Sequence, residues 1–600
     1  MESTSKANLL NRLKDHLKRI KNLPSGPLYQ SINKYLAELH LESGDEGVAI
    51  YHFVESQAVS LRLRTVEQIN RLSMKCLGKS VPEDCHKTAL EKKLLMLGSC
   101  QQESNFDSMM ERLKDLPTEW TVVQLTSGYS PRQHVGNPSE VHTPPCVHVS
   151  RLDLCAGRPY SLRVPCASRV ASRSGNFLRD FLGELEYLKL QYSTMQRENF
   201  SRYHLNKMAA NSRMQTAMAQ IEMNWLQHWR CILVGQLADE QLKNKLEAGL
   251  EKIVSNIEKW KSSNTPGVHL LMQALMASYS LSEFEVRKVV SHVTGSDLKS
   301  AECKAVAKDI CSLGSSFPEM STAKRHPVIL IVDDTLKRLP WESISVLNSH
   351  PVTRIHSLHF LHALYKVYEH RIGDGVVQGV DPSKGHYIVN PDNNLNHMEG
   401  RIKSAVTSRL PEWRGTFGVK PTPQQFGSAL QESDIFAYFG HGSGVQYLGN
   451  RQIQRLQVNA VTLLFGCNST GLTSFGGRVE SWSTDQCYIM SCSPCVIATL
   501  WNVIDVEIDK VSTNLLHHWL PPTKEMRKII EDNKQKQPLK TTGNKAKDVD
   551  FDLVKRTTSD WRQEPRLLEA MRHGRAASQL FMTSASLVAI GLPVGLASNT

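Results

Sequence analysis

The sequence has no apolar run of the roughly 18–20 residues that a membrane-spanning helix needs. Its polar start, MESTSKANLL, lacks the apolar core of a secretory signal peptide. The 13 cysteines are scattered at irregular spacings over 600 residues, whereas disulfide frameworks belong to short secreted chains. We therefore expect an intracellular protein of the cytosol or nucleus with reduced thiols.

The chain also lacks a concentrated block of one charge. Its 71 Lys and Arg outnumber 59 Asp and Glu by 12, but the excess is spread along the chain and partly sits in a polar insert at 521–562. A nucleic-acid-binding domain usually clusters its positive charge on one face. The composition therefore does not favour direct DNA binding, and its 40% hydrophobic content is that of an ordinary globular protein of about three to four domains.

The first part of the chain is predicted to be helical. Apolar residues recur at helical spacing through residues 1–115, with breaks at Ser-Gly, Gly-Lys and Pro. From Trp120 the period changes, and WTVVQLT (120–126) and CVHVSRL (146–152) predict two paired strands. The metal-ligating side chains near these strands do not follow a zinc spacing, so we predict a polar loop and no metal there. They are His134, His142, Cys146 and His148.

Long helices are predicted next, over 175–195, 213–262 and 268–312. Trp225 and Trp229 are four residues apart, which places them on one face of the second helix as core anchors. Residues 116–324 are therefore expected to form a mixed region of strands and long helices.

An α/β domain is predicted over residues 325–600. PVILIVDD (327–334) is an apolar run rich in β-branched residues, as in a strand buried on both faces of a parallel sheet. Four more such runs follow, separated by helical or polar segments. They are HYIVN (386–390), DIFAYFG (434–440), AVTLLFG (460–466) and CVIATLW (495–501). The fold class is thus α/β, a mostly parallel sheet flanked by helices, with 521–562 as a disordered or solvated insert.

Two of these strands end in unusual residues. One runs into Gly-His441-Gly-Ser-Gly, and the other into Gly-Cys467-Asn. Because the carboxyl ends of parallel strands share one rim, His441 and Cys467 are predicted to meet there. A thiol of ordinary pKa, about 8.5, is mostly protonated at neutral pH and needs a nearby imidazole to become a nucleophile. The N–H groups of Gly442 and Cys467 could form an oxyanion hole.

Other interpretations of these residues stay open from the residues alone. A histidine before glycine is usually part of a turn, and a cysteine after a hydrophobic strand is usually a small core residue. Cys492 and Cys495 have the spacing of a redox motif but do not begin a helix. Ser443 between two glycines lacks the strand–serine–helix arrangement of a hydrolase.

The motifs YFGHGSG (438–444) and LLFGCNS (463–469) resemble the histidine and cysteine motifs of separase, the caspase-like cysteine protease that opens cohesin rings at anaphase. The resemblance covers 325–600 strongly and includes further landmarks in order. These are LKRLPWES (336–343), VTRIHSL (352–358), YIVNPDNNL (387–395), LWNVIDVEID (500–509) and AIGLPVG (589–595). EWTVVQL (119–125) and IEMNWLQHW (221–229) are similar to the substrate-binding, pseudoprotease-like half of the separase protease region.

The resemblance implies a caspase-like catalytic domain that needs no cofactor or metal, with His441 as catalytic imidazole and Cys467 as nucleophile. It implies cleavage of the cohesin kleisin after arginine in Glu-x-x-Arg contexts, with Asp509, or as second candidate Asp505, binding that arginine. A carboxylate suits this role because it pairs with guanidinium in a fork. Asn502, Ile504 and Asn468 depart from the family's aspartate, threonine and small hydroxyl residue, so the pocket could be reshaped.

The short region before the first strands is similar to that of insect-type separases. We therefore expect residues 1–115 to dock a separate helical regulatory subunit, and the resemblance implies a securin-like inhibitor. It also implies a location in cytoplasm and nucleus, and on chromosomes or spindle in mitosis. Two alternatives remain: an inactive protease-fold scaffold that binds a securin-like regulator, against which His441, Cys467 and Asp509 argue, and a basic chromatin protein whose binding would weaken steeply with salt.

Overall fold

The computed structural model describes residues 2–20, 26–76, 105–130, 143–167, 174–194, 200–255, 257, 265–473, 480–521 and 563–597. The predicted insert 521–562 lies outside these ranges except for Pro521, and so do His134 and His142. Within these ranges no helix has both the length and the apolar character needed to cross a membrane.

The helices of the described residues flank one large sheet. In chain order they are α1 (Glu2–Ile20), α2 (Gly26–Glu42), α3 (Glu46–Glu55), α4 (Val59–Cys76), α5 (Phe106–Asp115), α6 (Phe177–Thr194), α7 (Phe200–Gln220), α8 (Glu240–Ser255), α9 (Thr265–Met276), α10 (Glu283–Thr294), α11 (Ala301–Ser315), α12 (Leu358–Tyr368), α13 (Asn396–Arg409), α14 (Pro423–Glu432), α15 (Asn450–Ile453), α16 (Asp485–Met490), α17 (Asp505–Trp519), α18 (Leu567–Ala576) and α19 (Phe581–Ser586).

The strands are short and mostly buried. They are β1 (Thr121–Ser127), β2 (Cys146–Arg151), β3 (Tyr160–Pro165), β4 (Val328–Val332), β5 (Val352–Ile355), β6 (Ile372–Gly373), β7 (Val376–Val380), β8 (Gly385–Val389), β9 (Arg414–Phe417), β10 (Ile435–Phe439), β11 (Val461–Leu464), β12 (Cys495–Thr499), β13 (Leu587–Gly591) and β14 (Val594–Leu596). All seven strands predicted from apolar runs are present.

Eleven strands form one sheet in the order β3-β2-β1-β4-β5-β13-β12-β11-β10-β8-β9, and a small sheet has the order β14-β7-β6. In the large sheet β1–β2, β2–β3 and β12–β13 pair antiparallel, and the other neighbours pair parallel. The predicted fold class is confirmed: a mostly parallel sheet flanked by helices.

The sheet continues across the predicted domain boundary at residue 324. β1 pairs in parallel with β4, with Thr121 beside Val328. All seven residues of β1 are buried, so this strand needs covering elements on both faces and a neighbour on each side. Sequence periodicity does not reveal such a long-range pairing.

Helix α2 is tied to the sheet by buried charges. Lys34 Nζ lies 2.5 Å from Asp333 Oδ2, just after β4, and both side chains are almost fully buried. In a second buried group, Glu55 of α3 contacts Arg62 and His359. A region predicted to dock a partner thus already buries part of its surface against its own sheet.

Three helix predictions are wrong in detail. The span 268–312 is divided among α9, α10 and α11. The helix predicted over 213–262 is interrupted, because α7 passes into a π-helical turn at Ile221–Leu226 and a 3₁₀ segment at Gln227–Leu233. Gln227 has a positive φ of 47°, which breaks the helical path. Trp225 therefore packs against Trp341, whereas Trp229 packs against His292, so the two indoles do not share a helix face.

Candidate active site

Strands β10 and β11 bring the two predicted site residues to equivalent positions. They pair in parallel with a register offset of 26 residues, as in Tyr438 beside Leu464. His441 and Cys467 each lie three residues beyond that pair, and they are also 26 residues apart. The prediction that both lie at one rim of the sheet is therefore met by the register.

The loops that carry these residues are in close contact. A Cβ atom built on Gly466 would lie only 1.9 Å from the carbonyl oxygen of Gly442 and 2.6 Å from that of Gly440. Gly442 itself has a φ of +63°, a conformation that favours glycine. The glycines beside His441 and Cys467 thus allow two backbones to pass each other more closely than any side chain would permit.

His441 is held by contacts to both its ring and its backbone. Its side chain is exposed, and Nε2 lies 3.1 Å from Asn394 Oδ1. Because an amide oxygen only accepts, Nε2 carries the hydrogen and Nδ1 is left as the basic nitrogen. The His441 carbonyl accepts hydrogen bonds from the Tyr438 hydroxyl at 2.8 Å and from Gln446 Nε2 at 3.0 Å.

Cys467 is half-buried, and its thiol donates to the carbonyl of Val503 at 3.2 Å. Burial raises the pKa of this thiol above its ordinary value, and the nearby charge of Asp505 raises it further. The thiol is therefore protonated at neutral pH and would need a base to become a nucleophile.

The predicted oxyanion-hole amides are available. Among the hydrogen bonds of the described residues, none is donated by the N–H of Gly442 or of Cys467. The next amide, that of Asn468, donates to Trp501 at 3.1 Å, and Asn468 has a positive φ of 53°. The N–H of Asn468 is thus hydrogen-bonded, whereas the N–H groups of Gly442 and Cys467 are left as donors at the rim.

The two predicted arginine-binding carboxylates lie one turn apart on α17. Asp509 is buried and Asp505 is about one-third exposed. Both contact Arg401 of α13: Nη2 lies 2.6 Å from Asp509 Oδ2 and 3.7 Å from Asp505 Oδ2. Burial raises the pKa of Asp509 to about 7, although Arg401 opposes this shift. This pair of carboxylates therefore binds a guanidinium in the structure, and that guanidinium comes from the chain itself.

A cavity of about 250 Å³ opens beside the cysteine loop, where Asn468, Trp501 and Asn502 form part of its wall. Two of the residues that depart from the family pattern, Asn468 and Asn502, thus line a cavity. Its remaining wall carries both charge signs, with Glu186 and Asp485 beside four cations that are each ion-paired within the chain, namely Lys189, Lys337, Arg338 and Arg354.

The competing motifs are placed differently. Cys492 and Cys495 are both buried and free, and burial raises the pKa of Cys495 to about 12, which keeps its thiol protonated. Ser443 is buried, and its hydroxyl donates to Thr484 Oγ1 at 3.2 Å. Neither arrangement presents an activated nucleophile.

Cys146 and His148 lie in β2 rather than in a polar loop. Neighbours two apart in a strand point to one face, so His148 Nε2 lies 3.5 Å from Cys146 Sγ and 3.6 Å from Glu38 Oε1. Burial raises the pKa of Cys146, but His148 and Arg163 outweigh this effect and lower it. These side chains could hold a metal ion, as could the group Asp153, Cys155 and His269, but Arg163 Nε already donates to Cys146 Sγ in the first group, at 3.4 Å.

The sequence does not indicate the contacts of Asn394 and Arg401. Asn394 belongs to the motif YIVNPDNNL (387–395), yet nothing in that motif indicates that its side chain contacts His441. Arg401 carries no sequence signal at all, because a single arginine on a helix face is usually solvated.

The structure is thus an α/β protein with a mostly parallel sheet, in which a histidine and a cysteine follow adjacent parallel strands. The family model described as "Separin, protease domain" matches residues 178–508, more than half of the chain. The chain therefore belongs to the separin family, whose protease domain is that of cysteine endopeptidases, and the resemblance to separase is confirmed. The matched range includes His441, Cys467 and Asp505 and ends one residue before Asp509.

Curated relatives agree with this assignment. The chain is 30% identical to mouse separin over 314 residues, which are 52% of this chain and 14% of the relative. It is 35% identical to separin of Emericella nidulans over 201 residues, 34% of this chain and 10% of the relative. It is 26% identical to separin of Schizosaccharomyces pombe over 326 residues, 51% and 17% respectively. The chain thus spans less than one-fifth of the length of these relatives.

Solved structures show the same fold. Two crystal structures of the Saccharomyces cerevisiae separase–securin complex match 98% of this chain, with TM-scores of 0.67 and 0.65 at 15% and 16% identity. The matched regions make up 37% and 38% of the yeast chain, respectively.

Proposed function

We propose that this chain is a cysteine endopeptidase that cleaves after arginine, with Cys467 as nucleophile and His441 as general base and acid. The observation that carries this proposal is the register of β10 and β11, which sets the two residues at equivalent places on one rim. Their glycine-bounded loops touch, and two unpartnered amides lie beside them.

The reaction follows from these groups. His441 Nδ1 takes the proton of the Cys467 thiol, and the thiolate sulfur attacks the scissile carbonyl carbon. The N–H groups of Gly442 and Cys467 donate to the oxyanion, a contribution of about 3–4 kcal/mol for a well-placed donor. His441 then protonates the leaving amine, and the C–N bond breaks to leave an acyl-thioenzyme. Water, deprotonated by the same imidazole, releases the acid and regenerates the thiol.

Asp509, with Asp505 beside it, is the proposed acceptor of the substrate arginine. The contacts of both carboxylates to Arg401 support this role, because a guanidinium already lies within ion-pair distance of both. The hydrogen bond from the Cys467 thiol to the Val503 carbonyl places Cys467 beside the start of α17, which begins two residues later.

The biological substrate proposed from the family is the cohesin kleisin subunit, whose cleavage would separate sister chromatids at anaphase. A securin-like inhibitor is proposed because the structural neighbours are separase–securin complexes. Residues 1–115 remain the proposed docking region for a separate helical subunit. Action on cohesin would place the protein in cytoplasm and nucleus, and on chromosomes or spindle in mitosis.

The test is cleavage of a purified kleisin by the chain co-expressed with its helical partner and free of inhibitor, beside Cys467→Ser. Cleavage after an arginine by wild type alone is the expected result. If neither protein cuts while both bind kleisin and partner, the chain is an inactive scaffold. Salt-sensitive DNA binding that survives Cys467→Ser without any cleavage would favour the chromatin-binding alternative.

A further inference from the structure

The carboxylates proposed to receive the substrate arginine are already engaged by an arginine of the same chain. Arg401 Nε donates to Asp509 Oδ2 at 2.7 Å, and Nη2 lies 2.6 Å from the same oxygen. The same Nη2 lies 3.7 Å from Asp505 Oδ2. A second guanidinium could not use these oxygens in the same way while Arg401 is in place.

The position of Arg401 allows its side chain to be displaced from the two carboxylates. Its side chain is 36% exposed, whereas that of Asp509 is only 6% exposed. It lies on α13, a surface helix whose residues Lys403 and Ser404 are exposed. Although its Nη2 atom is buried, such a long side chain can turn toward water once another guanidinium takes its place, because an exposed arginine is well solvated and regains rotamer freedom. Asp509 has no such freedom, since it is enclosed in the packing of α17.

The segment that carries Arg401 also carries the residue that holds His441. Asn394, just before α13, contacts His441 Nε2, and Asn390 anchors this turn by accepting from the N–H groups of Asn394 and Leu395. Asn390 Nδ2 also donates to Glu399 Oε2 at 2.8 Å, which binds the turn to the helix. One anchored stretch, 390–401, therefore reaches both the imidazole and the arginine-binding carboxylates.

We infer that Arg401 is an internal competitor of the substrate arginine: it pairs with Asp509 and Asp505 in the free protein and must be displaced when an arginyl substrate binds. This inference rests on the proposed function for the identity of the substrate side chain. Displacement makes the site demanding, since a substrate must replace an ion pair rather than fill an empty pocket. Between turnovers, Arg401 compensates the charge of the buried Asp509 carboxylate.

The experiment compares Arg401→Ala with wild type and with Lys403→Ala, a matched control that removes one positive charge from α13 two residues away. With an arginyl peptide substrate we expect KM to fall about five- to tenfold in Arg401→Ala, as for removal of a competing ion pair, with kcat within about twofold. Lys403→Ala should leave both constants unchanged. Arg401→Lys, which keeps the charge but loses the fork, should give an intermediate KM.

A second measurement does not depend on turnover. In the Cys467→Ser background, agmatine serves as a guanidinium probe, and calorimetry gives its Kd. The Kd should be about five- to tenfold lower in Arg401→Ala and should return to a high value when Asp509→Asn is added. An unchanged or higher Kd, or a higher KM, would overturn the inference and make Arg401 a support of the site.

The two measurements also separate this inference from the proposed function. If wild type shows no Cys467-dependent cleavage, the proposed protease function fails, and the agmatine titration still decides whether Arg401 occupies a guanidinium site. If cleavage is normal but neither KM nor Kd responds to Arg401→Ala, the protease proposal stands and the competitor is refuted.

Discussion

Replacing Gly466 by alanine should strongly reduce kcat/KM without unfolding the sheet. The new Cβ would lie 1.9 Å from the Gly442 carbonyl oxygen, whereas real Cβ atoms essentially never come within 3.0 Å of such an atom, so the two loops must separate by about 1.1 Å. The obstructing atom is backbone and cannot rotate away. A misplacement of about 1 Å between reacting groups costs on the order of 100-fold in rate, or about 2.7 kcal/mol.

The assay is kcat/KM with an arginyl peptide, together with the melting temperature and the alkylation rate of Cys467. Gly400→Ala is the matched control, because a Cβ there meets nothing within 4 Å and Gly400 lies inside α13. We expect the control to retain full activity and equal or greater stability. Wild-type kcat/KM and alkylation in Gly466→Ala would refute the argument that contact between the two loops aligns His441 and Cys467.

Three further predictions concern other parts of the site and the fold. Asn394→Ala should lower kcat about three- to tenfold with KM unchanged, because the lost hydrogen bond to His441 is worth about 0.5–1.5 kcal/mol. Restoration of kcat by Asn394→Gln would support the conclusion that Asn394 orients the imidazole of His441, and an unchanged kcat in Asn394→Ala would contradict it. The pKa of Asp509 is raised from 3.8 to about 7, so the folded state binds this proton more tightly than the unfolded state does. The free energy of unfolding should therefore fall as pH rises from about 4 to 7. The KM for an arginyl peptide should fall from pH 6 to 8, because the carboxylate ionises over this range. Asp509→Asn should abolish both trends, which titration of denaturation midpoints and KM would show. Lys34→Met should cost about 3–5 kcal/mol in urea denaturation because it leaves the buried Asp333 carboxylate without its charge partner, with only the hydrogen bonds from Ser127 and Thr335; adding Asp333→Leu should recover much of this loss, and a loss below about 1 kcal/mol would show that the pair is not buried in solution.

Much of the catalytic half could be predicted because its signals are local. The strands before His441 and Cys467 are continuous apolar runs, and parallel strands share a rim, so the placement of both residues at one rim followed from their positions after β10 and β11. The helical half was predicted less well. The helix that periodicity had extended from 213 to 262 is divided by the 3₁₀ segment that begins at Gln227, whose φ is positive, and by the non-helical residues 234–239, since periodicity does not report φ.

The sequence by itself determined the class of fold and the family, and it predicted His441 and Cys467 as the catalytic pair, because apolar period, glycine placement and motif order are all local features of the chain. Only the tertiary structure decided which partners those residues have. The contact of Asn394 with His441 spans 47 residues, and that of Arg401 with Asp509 spans 108. Such contacts depend on how helices and loops pack around the completed sheet, and no local pattern encodes that packing.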